Sequence, residues 1–217
     1  MRIPAGSMGM CFKMADIVSH PEAYFEALMP DRDGLLRDLE AEAAAEEIPI
    51  VGPVVGELLF VLVRATQATH ILELGAATGY SAIYLARACE PAGGRVVTFE
   101  YDTAMAERAR QNIEQAGLST TVSVREGNAL AQLGQLDGSF DFVFMDIEKE
   151  DYHKAIKGLE PIVRPSGLLV ADNTGFKDAD PFNRMMHANP AWRSVQLFSF
   201  LPMHSGIYDG LCLAVRI

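Results

Sequence analysis

The stretch Ile71-Leu72-Glu73-Leu74-Gly75-Ala76-Ala77-Thr78-Gly79-Tyr80-Ser81 decides the fold. It reads as an apolar strand running into a glycine-bearing turn, with a helix starting at Ser81. Glycine at position 75 leaves no Cβ between the backbone and a bound nucleoside-like group. Downstream, Asp146 and the pair Asp172-Asn173 each end another apolar run. Strand ends of this kind bring oxygen ligands to one rim, so a nucleoside cofactor beside a hard metal ion is the expectation.

Outward from that segment, strands and helices alternate. Strands are predicted at 71–74, 95–100, 121–125, 140–145 and 167–171, with helices at 81–89, 103–116, 129–133, 152–159 and 181–188. Repeated units of this kind imply a parallel sheet wrapped by helices on both faces. The run at 140–145 is nearly all apolar, as expected of a central strand covered on both sides. Pro165-Ser166-Gly167 reads as a turn, and 194–200 with 207–215 as a hairpin-like pair forming an antiparallel edge. Ahead of the first strand lie three predicted helices, at 21–28, 35–47 capped by Asp33, and 54–65, with Pro49, Gly52 and Pro53 as an interruption. The expected organisation is one domain over 1–217, with 1–50 a helical cover and 51–217 a Rossmann-like core.

The glycine spacing separates cofactors. A pyrophosphate grip needs G-x-G-x-x-G, whereas Gly75 and Gly79 stand four apart with Ala77 between them. That pattern suits a cofactor without phosphate, S-adenosylmethionine. Glu100, ending the second strand, is suited to both ribose hydroxyls, and Gly127-Asn128-Ala129 after the third strand to the base.

If the strands ending at Asp146 and Asp172 are neighbours, Asp146, Asp172 and Asn173 share one cation. Two carboxylates and an amide oxygen form a hard set suited to Mg²⁺, Mn²⁺ or Ca²⁺, and the absence of histidine and cysteine there argues against zinc. Lys149, three residues on, is then a candidate general base, because a neighbouring divalent cation and partial desolvation help a lysine to give up its proton. The bland alternative is a surface lysine among Glu148, Glu150 and Asp151. His153 and the scattered His20, His70, His187 and His204 show no ligand spacing.

The formal net charge of −11 disfavours general affinity for nucleic acid. No apolar run approaches the ~20 residues of a membrane span, and no secretory leader is evident, so cytoplasmic residence is expected. Cys11, Cys89 and Cys212 fit neither a disulfide framework nor a zinc knuckle and are expected to be structural thiols.

Over about 30–217 the chain resembles the metal-dependent class I O-methyltransferases, the group of catechol and caffeoyl-CoA O-methyltransferases and their small bacterial relatives. The resemblance rests on Gly52-Pro53-Val54-Val55-Gly56-Glu57-Leu58-Leu59, the 72–81 segment, Thr98-Phe99-Glu100-Tyr101-Asp102 and Glu126-Gly127-Asn128-Ala129. It continues through Phe142-Val143-Phe144-Met145-Asp146 with Lys149 and Tyr152, then Ala171-Asp172-Asn173 and Asp209-Gly210-Leu211. It implies a Rossmann-like methyltransferase fold, a mostly parallel seven-stranded sheet with an antiparallel C-terminal strand. It also implies S-adenosylmethionine contacts from Val51, Glu73, Gly75, Ala76, Ser81, Glu100 and Ala129, a set completed by their neighbours Gly79, Tyr80, Tyr101, Asn128 and Asp146. A divalent metal on Asp146, Asp172 and Asn173, Lys149 as base, a small catechol-type phenol as acceptor and a homodimer follow from the same likeness.

The chain departs from the family pattern at Glu148 and Asn128, where aspartate is usual. The connection after Asp172-Asn173 is also short, which predicts an open acceptor pocket, with residues 1–14 as a candidate compensating cover. Three competing readings are a methyltransferase acting on a hydroxylated tRNA base, a nicotinamide-dependent oxidoreductase and a non-catalytic binding module. The negative charge, the missing G-x-G-x-x-G and the retained metal and base candidates weigh against them in turn.

Overall fold

The computed structural model describes residues 18–202 and 208–217. Among these, seven strands form one sheet in the order β3-β2-β1-β4-β5-β7-β6. In chain order they are β1 His70–Leu74, β2 Arg95–Glu100, β3 Val122–Glu126, β4 Phe140–Met145, β5 Val163–Ala171, β6 Trp192–Phe200 and β7 Tyr208–Arg216. The helices are α1 Pro21–Glu26, α2 Gly34–Glu46, α3 Gly52–Thr66, α4 Tyr80–Cys89, α5 Thr103–Gln115, α6 Ala129–Gln132, α7 Tyr152–Leu159 and α8 Asp180–Ala188. This is the mostly parallel sheet flanked by helices that the alternating sequence implies.

Strand β4 shows why both faces are covered. Phe142 and Phe144 join the core built with α3, α4 and α5, while Val143 and Met145 pack against α7 and α8. Alternate residues of a strand point to opposite faces, so an all-apolar strand serves two cores at once. Tyr152, Ile156 and Phe182 fill the second core, and Leu39, Val55, Leu59 and Ile83 the first. Caps hold the entries of two helices: Asp33 accepts from the Leu36 amide at 3.0 Å and Asp102 from that of Met105 at 2.9 Å.

Two expectations change. Gly52 and Pro53 do not interrupt α3 but begin it, since proline at the first turn of a helix gives up only an amide that has no partner there. Pro165-Ser166-Gly167 is not a turn before β5; the strand starts at Val163, and the segment is an irregularity within it. The register against β4 shifts between Phe140 and Phe142, and Ser166 adopts φ 64°, which lets proline lie in a sheet without owing a ladder hydrogen bond. The last two strands form the expected antiparallel edge. β7 inserts between β5 and β6, antiparallel to both, and β6 becomes the edge.

Cys89 and Cys212 are free and buried. The expectations for residues 1–14, Cys11, His204 and Ile207 lie outside the described residues. Among the described residues, no helix is long and apolar enough to cross a membrane.

The strand order reverses at β1, which is flanked by β2 on one side and β4 on the other. Open α/β sheets bind ligands beyond the carboxyl ends of the strands at such a point.

Candidate active site

Above that reversal lies a cavity of about 810 Å³, within the size range of small-molecule sites. Gly75 adopts φ +98°, and a Cβ there would collide with the carbonyl oxygen of Asp146. Glycine therefore lets the turn after β1 close against the exit from β4. Gly79, at φ +85°, lies outside the cavity lining; an added Cβ would meet Ala109 of α5 at 3.3 Å. Its place is in the packing of α4 on α5.

Of the other cofactor candidates read from the sequence, Val51, Ala76, Tyr80, Ser81, Glu100, Tyr101, Asn128, Ala129 and Asp146 line the cavity. Glu100 is already engaged: its carboxylate accepts from the amides of Ala76 at 3.2 Å, Ala77 at 2.7 Å and Asp102 at 2.9 Å. It holds the turn in shape as well as facing the cavity. The Tyr80 ring lines the cavity while its hydroxyl donates to buried Glu40 of α2 at 2.6 Å. Asn128 caps α6, accepting from the Ala131 amide at 3.2 Å.

Glu73 is fully buried beneath the turn, and among the described residues neither of its carboxylate oxygens has a hydrogen-bond partner. Burial pushes its pKa up to about 7. The Ser81 and Thr98 hydroxyls oppose the rise from close by, without making a bond of good geometry, and the charges of Asp146 and Glu100 add to it. An unpaired buried carboxylate costs stability and calls for a partner that the described residues do not supply.

The candidate metal ligands leave adjacent strands at one level. β4 pairs with β5 in register Met145↔Ala171, so Asp146 and Asp172 are the next residue of each strand. The Asp172 side chain is buried and its Oδ1 accepts from the Asn173 amide at 2.8 Å. Asn173 adopts φ 52°, and its side-chain nitrogen donates to Asp209 Oδ2 at 2.8 Å. Lys149 donates to Asp146 Oδ1 at 2.9 Å, both side chains being about one-quarter exposed, and its ammonium lies 5.9 Å from the Tyr152 ring centre. A cation thus already rests on one of the proposed ligands. No group of three or more His, Cys, Asp or Glu among the described residues is arranged to hold a metal ion, and the candidate set is two carboxylates and an amide.

Two supporting roles escaped the sequence reading. Tyr152 donates from its buried hydroxyl to the carbonyls of Asp172 at 3.0 Å and Met145 at 3.3 Å, tying the ends of β4 and β5 together. Burial among Asp146, Asp172, Asp209 and Glu148 drives its pKa well above the ordinary tyrosine value, so it stays a donor. Asp209, reaching across from β7, accepts from Asn173 and also from the amides of Gly175 and Gly210, at 3.2 and 2.6 Å. The Asp209-Gly210 pair was visible as a motif, but its partners lie far away in sequence. The short connection behind Asn173 brings Phe176 and Asp178 to the cavity mouth.

Residues 30–189 match the model of a family described as O-methyltransferase. A catechol O-methyltransferase of Niastella koreensis is 37% identical over 195 residues, 81% of this chain and 85% of that protein. Caffeoyl-CoA O-methyltransferase 2 of Petunia hybrida is 34% identical over 125 residues, about half of each chain (55% and 51%). The crystal structure of an O-methyltransferase from Bacillus cereus in complex with SAH superposes with a TM-score of 0.82 at 31% identity, covering 91% of this chain and 97% of that one. A match over most of the length, on the same fold, shows that the chain belongs to the O-methyltransferase family and is an O-methyltransferase.

Proposed function

We propose that the enzyme uses S-adenosylmethionine to methylate one hydroxyl of a small catechol-type phenol, with a divalent cation, Mg²⁺ before Mn²⁺ or Ca²⁺, on Asp146, Asp172 and Asn173. The observation that supports this reading is the register Met145↔Ala171, by which Asp146 and Asp172 follow directly on adjacent strands, with Asp146 and Asn173 lining the cavity beside Gly75 and Glu100 and Asp172 buried behind them.

The residues fit the cofactor. Buried Glu73 has no hydrogen-bond partner among the described residues, the glycine at 75 keeps the backbone low, and the cavity volume suits a nucleoside. The wall that Val51 and Phe99 contribute is apolar, and Glu100 stands beside it. The donor set also fits a hard cation, and the ammonium of Lys149 against Asp146 marks the place as favourable for positive charge.

Bound S-adenosylmethionine supplies an electrophilic methyl group, and a bound divalent cation supplies charge that favours an ionised acceptor hydroxyl. The protein does the rest. Asp209 holds the Asn173 amide head, and Tyr152 holds the backbone carbonyls at the ends of β4 and β5. Lys149, once its ammonium has left Asp146 and lost a proton to solvent, accepts the hydroxyl proton at Nζ as the oxygen takes the methyl group and the thioether leaves. General-base help of this kind contributes roughly 10²–10⁴-fold, with positioning adding to it.

Cytoplasmic residence and a homodimer belong to the same reading. The acidic composition and buried free thiols support the first. The exposed edge strand β6, with Val195, Leu197 and Phe198, supports the second, as do the exposed Tyr24 and Phe25 of α1.

The test is methyl transfer from S-adenosylmethionine to catechol, with and without EDTA, for wild type and Asp146→Ala. Activity should fall by at least about a hundredfold in both cases. Turnover indifferent to both perturbations would remove the metal-assisted reading.

A further inference from the structure

The cavity lining carries six carboxylates, from Glu100, Asp146, Glu148, Glu150, Asp151 and Asp178, against the single ammonium of Lys149 among the described residues. That ammonium is already paired with Asp146. A divalent cation and the net single positive charge of S-adenosylmethionine would still leave this lining negative. Of the cations close by, Lys154 pairs with Asp151 at 2.5 Å and Arg125 lies over the Phe99 ring, 5.9 Å from its centre, on the β3 flank. Exposed Lys177, next to Asp178, does not line the cavity and offsets one charge at the mouth. Glu100 and Asp146 have partners inside the site, so Glu148, Glu150 and Asp178, all exposed at the mouth, set the field that an arriving acceptor meets.

We propose that this mouth selects acceptors by charge, admitting neutral and cationic catechols and rejecting anionic ones, acyl-CoA thioesters above all. The proposal rests on the O-methyltransferase reading above and narrows its substrate class. A CoA moiety brings three phosphate groups, which are normally held by arginine, lysine or a helix N-terminus. Among the described residues the cavity lining offers no uncommitted cation for them, and the overall charge of −11 opposes their approach. An ammonium on a short arm from the ring, by contrast, meets carboxylates on several sides. The mouth is open to solvent, so the discrimination is electrostatic and salt-sensitive rather than steric.

The experiment compares kcat/KM for catechol, dopamine, caffeate and caffeoyl-CoA, with the full chain saturated in S-adenosylmethionine and Mg²⁺, at about 20 mM and about 300 mM salt. Dopamine should exceed caffeate by roughly tenfold or more at low salt, caffeoyl-CoA should be the poorest, and high salt should narrow the spread. In the triple variant Glu148→Gln, Glu150→Gln, Asp178→Asn, the dopamine-to-caffeate ratio should shrink by roughly tenfold. Caffeate or caffeoyl-CoA matching dopamine at low salt overturns the proposal, as does a ratio unmoved by the triple variant.

If none of the four is methylated, the catechol reading fails. Charge selection is then judged by calorimetric binding of the same compounds to protein loaded with S-adenosylhomocysteine and Mg²⁺. Dopamine binding more tightly than caffeate supports it; the reverse order, or no binding at all, overturns it.

Discussion

Glu73 offers a test in which one atom pair changes and a pH profile reports the result. The side chain is fully buried with no hydrogen-bond partner among the described residues, and its pKa rises from 4.5 to about 7. An acid whose pKa rises on folding holds its proton more firmly in the folded state. Its penalty is therefore absent below pH 4.5, grows as pH climbs, and is complete above about pH 7. Each tenfold gain in proton affinity corresponds to about 1.4 kcal/mol, so the folded protein without ligand loses about 3 kcal/mol of stability across this window through Glu73 alone. Glu73→Gln keeps the shape and removes the titration. The assay is urea denaturation of both proteins from pH 4 to pH 8.5, without cofactor. The two should agree near pH 4 and diverge until the variant leads by about 3 kcal/mol at pH 8. Groups not coupled to Glu73 titrate identically in both and cancel. The variant should bind S-adenosylmethionine at least roughly tenfold more weakly, since the charge has been removed from beneath the cofactor turn. Parallel stability curves would refute this reasoning, because they would mean that Glu73 is already paired or already solvated.

The remaining expectations concern the support of the site. Gly75→Ala should destabilise the fold by about 3 kcal/mol, from φ strain together with the collision against the Asp146 carbonyl, read by the same denaturation; a variant as stable as wild type would show that the turn has room. Asp209→Asn, which weakens the anchor of Asn173 and Gly175, should lower Mn²⁺ affinity about 10–100-fold by calorimetry. Tyr152→Phe should cost about 1–3 kcal/mol of stability, again by urea denaturation, through the two carbonyl hydrogen bonds it loses. Phe198→Asp, placing charge on the exposed edge strand, should shift the light-scattering mass toward that of a monomer; an unchanged mass would remove β6 from the dimer contact.

Much of the candidate site was legible because its residues are local to strand ends. Apolar runs of five or six residues end at Leu74, Glu100 and Met145, and residues that follow, such as Gly75 and Asp146, fall at the rim because a parallel sheet puts all such ends together. Residue types then did the rest: glycine where backbone must approach, carboxylate and amide where a hard cation fits. What was not legible depended on residues distant in the chain. Glu100 holds the amides of Ala76 and Ala77, Tyr80 reaches Glu40, and Asp209 orients Asn173. None of these pairs has a sequence period.

The sequence by itself determined the alternation of strands and helices, the glycine turn and the kinds of atoms offered at the rim, since each follows from local periodicity and side-chain chemistry. The tertiary structure decided which strands are neighbours, that β7 enters between β5 and β6, that Pro165 lies within a strand, and that Glu73 is left without a partner among the described residues. Pairing and burial are set by what the rest of the chain places alongside, and no window along the polypeptide contains that information.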